Sequence, residues 1–275
     1  MDNKRVKAFT MFFLILLNIM LLGLNINKEM SSRLGAEQKQ AITKLLADNG
    51  IELKADIPES HRAMGRVKFE DSGFDTMSLQ QSFFEESEQV KRTEEFYKTI
   101  LEADNGETRL EIQGNTFSFT GNCKKEVLSE ADATEIARQF NEKIGKSVSR
   151  LDMELSSENE NGWEFLCVQN FVGYHIFSNR AVISIGKDGS VKIDLSFLRP
   201  REVLAQEQAV ISADEALFVA MSEILESEEE SKSITGVALG YYAAAQDGLN
   251  ADACYEITLT GGRRLYVNAY SGAIA

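Results

Sequence analysis

Ser129-Glu-Ala-Asp-Ala-Thr-Glu-Ile-Ala137 and Ser212-Ala-Asp-Glu-Ala-Leu-Phe-Val-Ala220 decide the reading of this chain. They align at an offset of 83 residues. Each opens with a serine followed three residues later by an acid, Asp132 or Glu215. That is the start of a capped helix: the hydroxyl accepts from an orphan backbone N–H, and the acid reaches back. Behind the caps, Ala133 matches Ala216, Ile136 matches Val219, and Ala137 matches Ala220. The offset holds at the far end too, where Asp188-Gly189-Ser190-Val191 falls on Ser271-Gly272-Ala273-Ile274. Between the ends, Leu151-x-Met-x-Leu155 falls on Ile234-x-Gly-x-Ala238.

The segments after each helix alternate like strands. In the first copy they are Gly162–Phe171, Tyr174–Ile185 and Ser190–Leu198. In the second they are Ile234–Tyr242, Cys254–Thr260 and Arg264–Ala269. Asp188-Gly189 and Gly261-Gly262 are turn signals. The fold class expected is α+β, with helix-plus-antiparallel-sheet modules at 129–200 and 201–275 as a tandem repeat. The second module should lack a final long strand, because the chain stops one residue after the match to Val191.

Working outward, residues 61–128 form a mixed region. Leu79 to Leu101 is expected to be wholly or partly helical. Arg109-Leu-Glu-Ile112 and Thr116-Phe-Ser-Phe-Thr120 alternate around Gly114-Asn115 as a hairpin. Residues 28–60 read as a stalk: a helix over Leu34–Asn49 ending at Asn49-Gly50, then an extended connector to Pro58. At the start, Lys4, Arg5 and Lys7 precede an uncharged apolar run, Ala8 to Asn27. Twenty residues at about 1.5 Å each span a bilayer. A cleaved signal peptide is the rival, but it would have a shorter apolar region and a small-x-small cleavage site, which Leu24-Asn25-Ile26-Asn27-Lys28 does not offer. The expectation is a cytoplasmic stub at 1–7, a single membrane helix at 8–27, and the remainder outside the cytoplasm. Met11, Asn18 and Asn25 recur every seven residues and share one face of that helix. Asn18 falls at mid-membrane, where an amide seeks a partner on another helix. These three residues are the candidate partner contacts, with a tolerated lone polar group as the alternative.

The net charge is −14, from 29 basic and 43 acidic residues. This argues against nucleic acid as a partner, since no cationic excess is present to neutralise phosphates. It also argues against a broad basic face for anionic lipid. The three cysteines, Cys123, Cys167 and Cys254, are too widely spaced for a zinc site. They read as buried thiols, with a disulfide as the alternative. Neither H-E-x-x-H nor G-x-S-x-G occurs. Ile144-Gly-Lys-Ser147 imitates the end of a P-loop, but Phe140 stands where its first glycine is needed. Around Gly106 and Gly189, an EF-hand would start at Leu101 or Ser184, neither of which supplies a carboxylate. Cys167 and His175 lack an orienting third group. No catalytic, metal-binding or cofactor-binding residue is expected. The glutamates of 223–230 read as a solvated helix end, with a cation or docking patch as the alternative. Trp163 and Tyr241-Tyr242 read as core, with interface anchors as the alternative.

Several segments together resemble a known family. They are Phe13-Leu-Ile-Leu-Leu-Asn-Ile-Met20, Leu45-Leu-Ala-Asp-Asn-Gly-Ile-Glu-Leu53 leading to Ile57-Pro58, Gln169-Asn-Phe-Val-Gly-Tyr-His-Ile-Phe177, Val237-Ala-Leu-Gly-Tyr241 and Arg264-Leu-Tyr-Val-Asn-Ala-Tyr-Ser-Gly272. In order and spacing they resemble the YycI family and its YycH relatives of low-GC Gram-positive bacteria. The last segment, after the Ser212 helix, also resembles a PepSY-type module. One departure is Asp252-Ala-Cys-Tyr255, where the family usually carries a tryptophan. The resemblance implies a membrane-anchored, non-enzymatic regulator of the WalK–WalR two-component system. Its implied partners are a WalK-like sensor kinase and a YycH-like protein, and its process is cell-wall metabolism. A PepSY-type protease-inhibitory or ligand-binding module is the alternative.

Overall fold

The computed structural model describes residues 14, 17, 33–70, 73–227, 232–244 and 248–275. Met11, Asn18 and Asn25 and nearly all of the span at 8–27 lie outside them. Among the described residues, no helix is long and apolar enough to cross a membrane.

Four helices and fourteen strands are described, an α+β fold whose sheet is mainly antiparallel. The helices are α1 (Ala36–Asp48), α2 (Thr76–Phe83), α3 (Glu130–Ser147) and α4 (Ala213–Glu226). Strands β1 (Glu52–Leu53) and β2 (Val67–Glu70) follow α1. Strands β3 (Val90–Glu95), β4 (Lys98–Ala103), β5 (Arg109–Gln113) and β6 (Thr116–Asn122) lie between α2 and α3. After α3 come β7 (Leu151–Asn159), β8 (Gly162–Phe171), β9 (Tyr174–Gly186), β10 (Ser190–Ser196) and β11 (Arg199–Val203). After α4 come β12 (Ser233–Tyr242), β13 (Asn250–Leu259) and β14 (Arg264–Asn268).

Both serine-capped helices form, with caps that differ in detail. Ser212 and Glu215 make the full reciprocal box, in which the Ser212 N–H donates to Glu215 at 3.1 Å. Ser129 accepts from the Asp132 N–H at 3.2 Å, but its hydroxyl donates to the Asp132 carboxylate. Aspartate is one methylene shorter, so its carboxylate meets the hydroxyl instead of the backbone. Behind each cap the helix is followed by an antiparallel meander, β7-β8-β9-β10 in one case and β12-β13-β14 in the other. Where β10 pairs along β9 in the first, the second has a single antiparallel bridge, Val267 to Ile274.

Both meanders are joined with the strands around them into one sheet. Apolar side chains gather into two cores. The first takes α2, α3 and an eight-stranded antiparallel array, β7-β8-β9-β10-β6-β5-β4-β3. Its centre includes Ile144, Phe165, Ile183, Ile193 and Leu110. The second takes α1 and α4 over β12, β13 and β14, with β1, β2 and β11 added at the margins. Val191, Ile193 and Leu195 of β10 are buried while the residues between them are exposed, so one face of that strand supplies the first core. Each fully buried aliphatic or aromatic side chain contributes about 1.5–3 kcal/mol.

Leu79 to Leu101 is helical in part: α2 runs to Phe83, Phe84 is extended, and β3 and β4 follow as a hairpin. Val90, Thr93, Thr99 and Ile100 are β-branched and favour strand over helix. Of the stalk helix and connector expected at 28–60, residues 33–60 are described: the helix forms as α1, and the segment packs into the fold. Leu34, Ile42, Leu46, Ile51 and Ile57 are buried in the second core, and β1 pairs in parallel with β12 through Glu52–Ser233 and Leu53–Ile234.

Candidate functional site: the cleft between the two cores

The cores meet along β9. Its first residues serve the second core through Ile176, and its last residues serve the first through Ala181, Ile183 and Ile185. These positions have opposite parity, so in a regular strand Ile176 would face away from the others. A bulge sits between them: Val168 of β8 pairs with Arg180, and Gln169 with Ile176, leaving 177–179 without partners on β8. The fully buried Asn179 fills the gap in the ladder. Its Nδ2 donates to Gln169 Oε1 at 2.6 Å and to the Leu198 carbonyl, and its Oδ1 accepts from the Leu198 N–H at 2.9 Å. Gln169 in turn donates to Ser149 at 2.9 Å. Nearby, Gly240 and Tyr241 of β12 pair in parallel with His175 and Ile176. A Cβ on Gly240 would stand 2.4 Å from the His175 carbonyl oxygen and 2.7 Å from the Phe177 ring. Only glycine lets the strands approach there.

Beside this crossing lies a cleft of about 600 Å³, lined by Phe177, Ser178, Arg180, Ser196, Leu198, Tyr242 and the Gly114-Asn115 turn, among others. It shares Arg180 and Ser196 with a smaller hollow of about 340 Å³ that reaches Lys98, Glu111 and Asp194. Lys98 and Arg109 both grip Glu111 and hold its carboxyl below the usual range.

A polar chain ties the cores together behind the cleft. Arg180 Nη1 donates to Tyr266 Oη at 3.3 Å, and Tyr266 Oη donates to Glu256 Oε2 at 2.9 Å. Arg264 Nε lies 3.7 Å from the same carboxylate. Burial pushes Glu256 upward despite the tyrosine bond and the two cations. Burial and then Glu256 push Tyr266 upward as well. The Tyr242 ring stacks on Tyr266 at 4.2 Å and 12°.

These groups suit binding. One guanidinium, serine hydroxyls and aromatic faces converge, and in the adjoining hollow the Ser118 hydroxyl donates to the Asp194 carboxylate at 2.7 Å. Burial pushes the Cys167 thiol up to about 12, and Cys254 also moves upward. Cys123, Cys167 and Cys254 are all free. Cys167 pairs with Ala181, whereas His175 pairs with Asn170 and lies 3.8 Å from Asp152, so register keeps the two apart. Among the described residues, no three His, Cys, Asp or Glu side chains converge as a metal site.

The other singled-out residues divide. Trp163 is buried in the first core and Tyr241 in the second, whereas Tyr242 lines the cleft. Of the acidic run, α4 carries the residues up to Glu226, and Glu223 lies 3.6 Å from Arg263; 228–230 are outside the described residues. Arg180, Glu256, Arg264 and Tyr266 are not among the site residues expected from the sequence. Each occupies an outward position of an alternating strand, which reads as solvent-facing. The available signal was a charge flanked by apolar residues in Tyr255-Glu256-Ile257.

The family model described as YycI protein matches residues 30–270. The chain belongs to the YycI family. That family has a regulatory accessory role in the WalK system. No curated protein matches the sequence. Among solved structures, an uncharacterized protein from Eubacterium rectale superposes with a TM-score of 0.52 at 11% identity, covering 82% of this YycI-family chain and 90% of its own. That likeness concerns the fold. The C-terminal domain of Bacillus megaterium YpeB gives a TM-score of 0.42 at 17% identity, covering 72% and 92% respectively.

Proposed function

We propose that this chain is held in the membrane by a single helix at 8–27, with 1–7 cytoplasmic and the fold outside. There it regulates a WalK-like sensor kinase, in complex with a YycH-like protein, to control cell-wall metabolism. It acts by binding and carries out no chemistry of its own. The match of the YycI family across residues 30–270 carries this reading.

The fold supports it with a route for coupling. Helix α1 starts nine residues after the proposed span and is packed into the second core, against α4. A shift of the span is thereby delivered to the second core, and through β12 and Glu256–Tyr266–Arg180 to the cleft. Met11, Asn18 and Asn25 remain the proposed contacts in the membrane, Asn18 foremost, because an unpaired amide there is unfavourable.

Co-purification of the full chain with both partners tests the proposal. Asn18→Leu is expected to weaken association by roughly 3- to 30-fold, the value of one interhelical hydrogen bond. It should also shift expression of kinase-controlled cell-wall hydrolase genes. A reporter active only in the cytoplasm, fused after Ala275, should be silent. Failure of the unmodified chain to associate with either partner overturns the reading.

A further inference from the structure

The cleft between the cores is a fork in the sheet. Strand β8 borders one edge of β9 from Tyr174 to Gly186, interrupted only at 177–179. On the other edge two strands share the place. Strand β12 pairs with His175 and Ile176, and β10 pairs with Arg180 to Ile185. Phe177 and Ser178 fall between the two ladders. The ends of β12 and β10 approach this gap from opposite directions, β12 running with β9 and β10 against it. Side chains of β9 hold both ends: the Ala243 N–H donates to Ser178 Oγ at 3.3 Å, and the Leu198 N–H to Asn179 Oδ1 at 2.9 Å. The space left between them is about 600 Å³, within the ordinary range for a small-molecule site.

Most of the charge around the fork is already matched. In the adjoining hollow Lys98 is paired with Glu111, and Asp194 with Lys192. Arg180 stands where the two spaces join. It donates to the Tyr266 hydroxyl, and among the described residues no carboxylate forms an ion pair with it. The tyrosine bond orients the guanidinium and leaves its other N–H groups for a ligand. Such a fork of donors fits a planar, two-oxygen acid. With Glu111 and Asp194 in the same hollow and a net charge of −14, one cation favours a monoanion over a phosphate dianion. Phe177, Leu198 and the Tyr242 ring supply an apolar wall. The Ser178 and Ser196 hydroxyls both donate and accept, which suits an amide N–H and C=O beside the acid. We propose that the fork binds the free C-terminus of a short peptide. The terminal carboxylate lies on Arg180, an apolar last side chain rests against Phe177, Leu198 and Tyr242, and the last amide meets the serines. The site depends on neither the membrane anchor nor the partners proposed above.

The test titrates N-acetylated tripeptides into the full chain in detergent, by calorimetry. Their last residue is leucine, phenylalanine, alanine or aspartate, each as the free acid and as the C-terminal amide. The leucine and phenylalanine acids are expected to bind best and the aspartate acid worst. Amidation should weaken binding roughly 10- to 100-fold, the value of hydrogen bonds to a charged group. Arg180→Gln should weaken the acids by the same factor and leave the amides unchanged, so that the two changes are not additive. Arg180→Lys should recover part of the loss, since it keeps the charge without the fork. Arg150→Gln, which removes a cation beside a separate hollow, should change nothing. Trp163 fluorescence in denaturant checks that each variant is folded; if Arg180→Gln is not, Arg180→Lys must still narrow the gap between acid and amide. No acid binding tighter than about 1 mM, acids no tighter than their amides, or a gap that survives both Arg180 variants would each overturn the site. Displacement of the peptide by inorganic phosphate at equal concentration would reduce it to a general anion site and overturn it too.

Discussion

The core under α2 and α3 is built from residues within 79–197, whereas the core under α1 and α4 joins 34–69 to 210–269 and takes only Ile176 of its fully buried members from the stretch between. The first is antiparallel throughout, with neighbours in the sheet mostly neighbours in the chain. The second contains the parallel pair β1–β12 and leans on the first through the parallel contact β12–β9. One core is therefore nested inside the other, and the second cannot close until the chain around the first has brought its two halves together. Closure entropy falls on the second core, while the first is assembled from local hairpins. The first continuous described segment, from Arg33, packs into the second core, so under the anchoring proposed above that core is the first a signal from the span would reach.

The nested picture is most exposed to a pair of cavity-making changes, each expected to cost about 2–5 kcal/mol. Trp163, the single tryptophan, reports on the first core by fluorescence. Labelling of the buried Cys254 reports on β13. Ile193→Ala should lower the denaturant midpoint of both signals, since losing the first core releases the loop that closes the second. Leu217→Ala should bring Cys254 labelling to lower denaturant and move the Trp163 transition much less. Equal movement of both signals in both variants would mean one cooperative unit and no nesting.

The join itself comes next. Asn179→Ala leaves the Leu198 N–H and carbonyl and the Gln169 side chain short of partners in a dry site. Buried unsatisfied groups cost about 1–3 kcal/mol each, so a loss of roughly 2–4 kcal/mol is expected in the unfolding free energy. Asn179→Asp should be no rescue, because the carboxylate cannot donate to Gln169 or Leu198. A loss below about 1 kcal/mol would show that the bulge holds without the amide.

A smaller effect is expected at the parallel contact. Gly240→Ala drives a methyl into the His175 carbonyl and the Phe177 ring, and overpacking of this kind costs about 1–3 kcal/mol. It should loosen β12 from β9 and raise hydrogen exchange at Tyr241 and Ile176 with little change around Ile193. Uniform change across the molecule would place the strain elsewhere.

Legibility followed locality. Hairpins β5–β6 and β8–β9 could be read nearly to the residue, because alternation and turn signals lie within a dozen positions of each other. The capped starts of α3 and α4 were legible for the same reason. The role of 34–69 was not, since its partners Ile234, Ala251 and Tyr255 lie some two hundred residues away and leave no local trace. The hairpin β3–β4 was missed because its exposed edge carries charges at every position from Lys91 to Glu95 except Thr93, hiding the alternation. At the cleft, Tyr242 was flagged as one of an aromatic pair. Arg180 and Glu256 were not, because a charge that reaches a side chain on another strand of its sheet has the same sequence pattern as one turned toward water.

The last test concerns what that hidden carboxylate does. Burial holds the Glu256 pKa above its ordinary value of 4.5 in the folded chain. Between the ordinary and the raised value, the folded state binds more protons than the unfolded one. Stability linked to this group is therefore greatest at low pH, and it falls as pH rises through that window. Carboxylates held low, such as Glu111 and Asp194, have the opposite sign: their contribution is present above the ordinary pKa and is lost as pH falls. The total profile mixes the two, so the informative quantity is the difference between the parent chain and Glu256→Gln. The amide oxygen can still accept from Tyr266, but the side chain no longer titrates. Measured by urea unfolding across the acidic range, the parent should lose stability relative to Glu256→Gln as pH rises past 4.5. The gap should level off once Glu256 is ionised in both states. Parallel profiles would mean that Arg180 and Arg264 fully compensate the buried charge, and that the bridge between the cores is indifferent to protons.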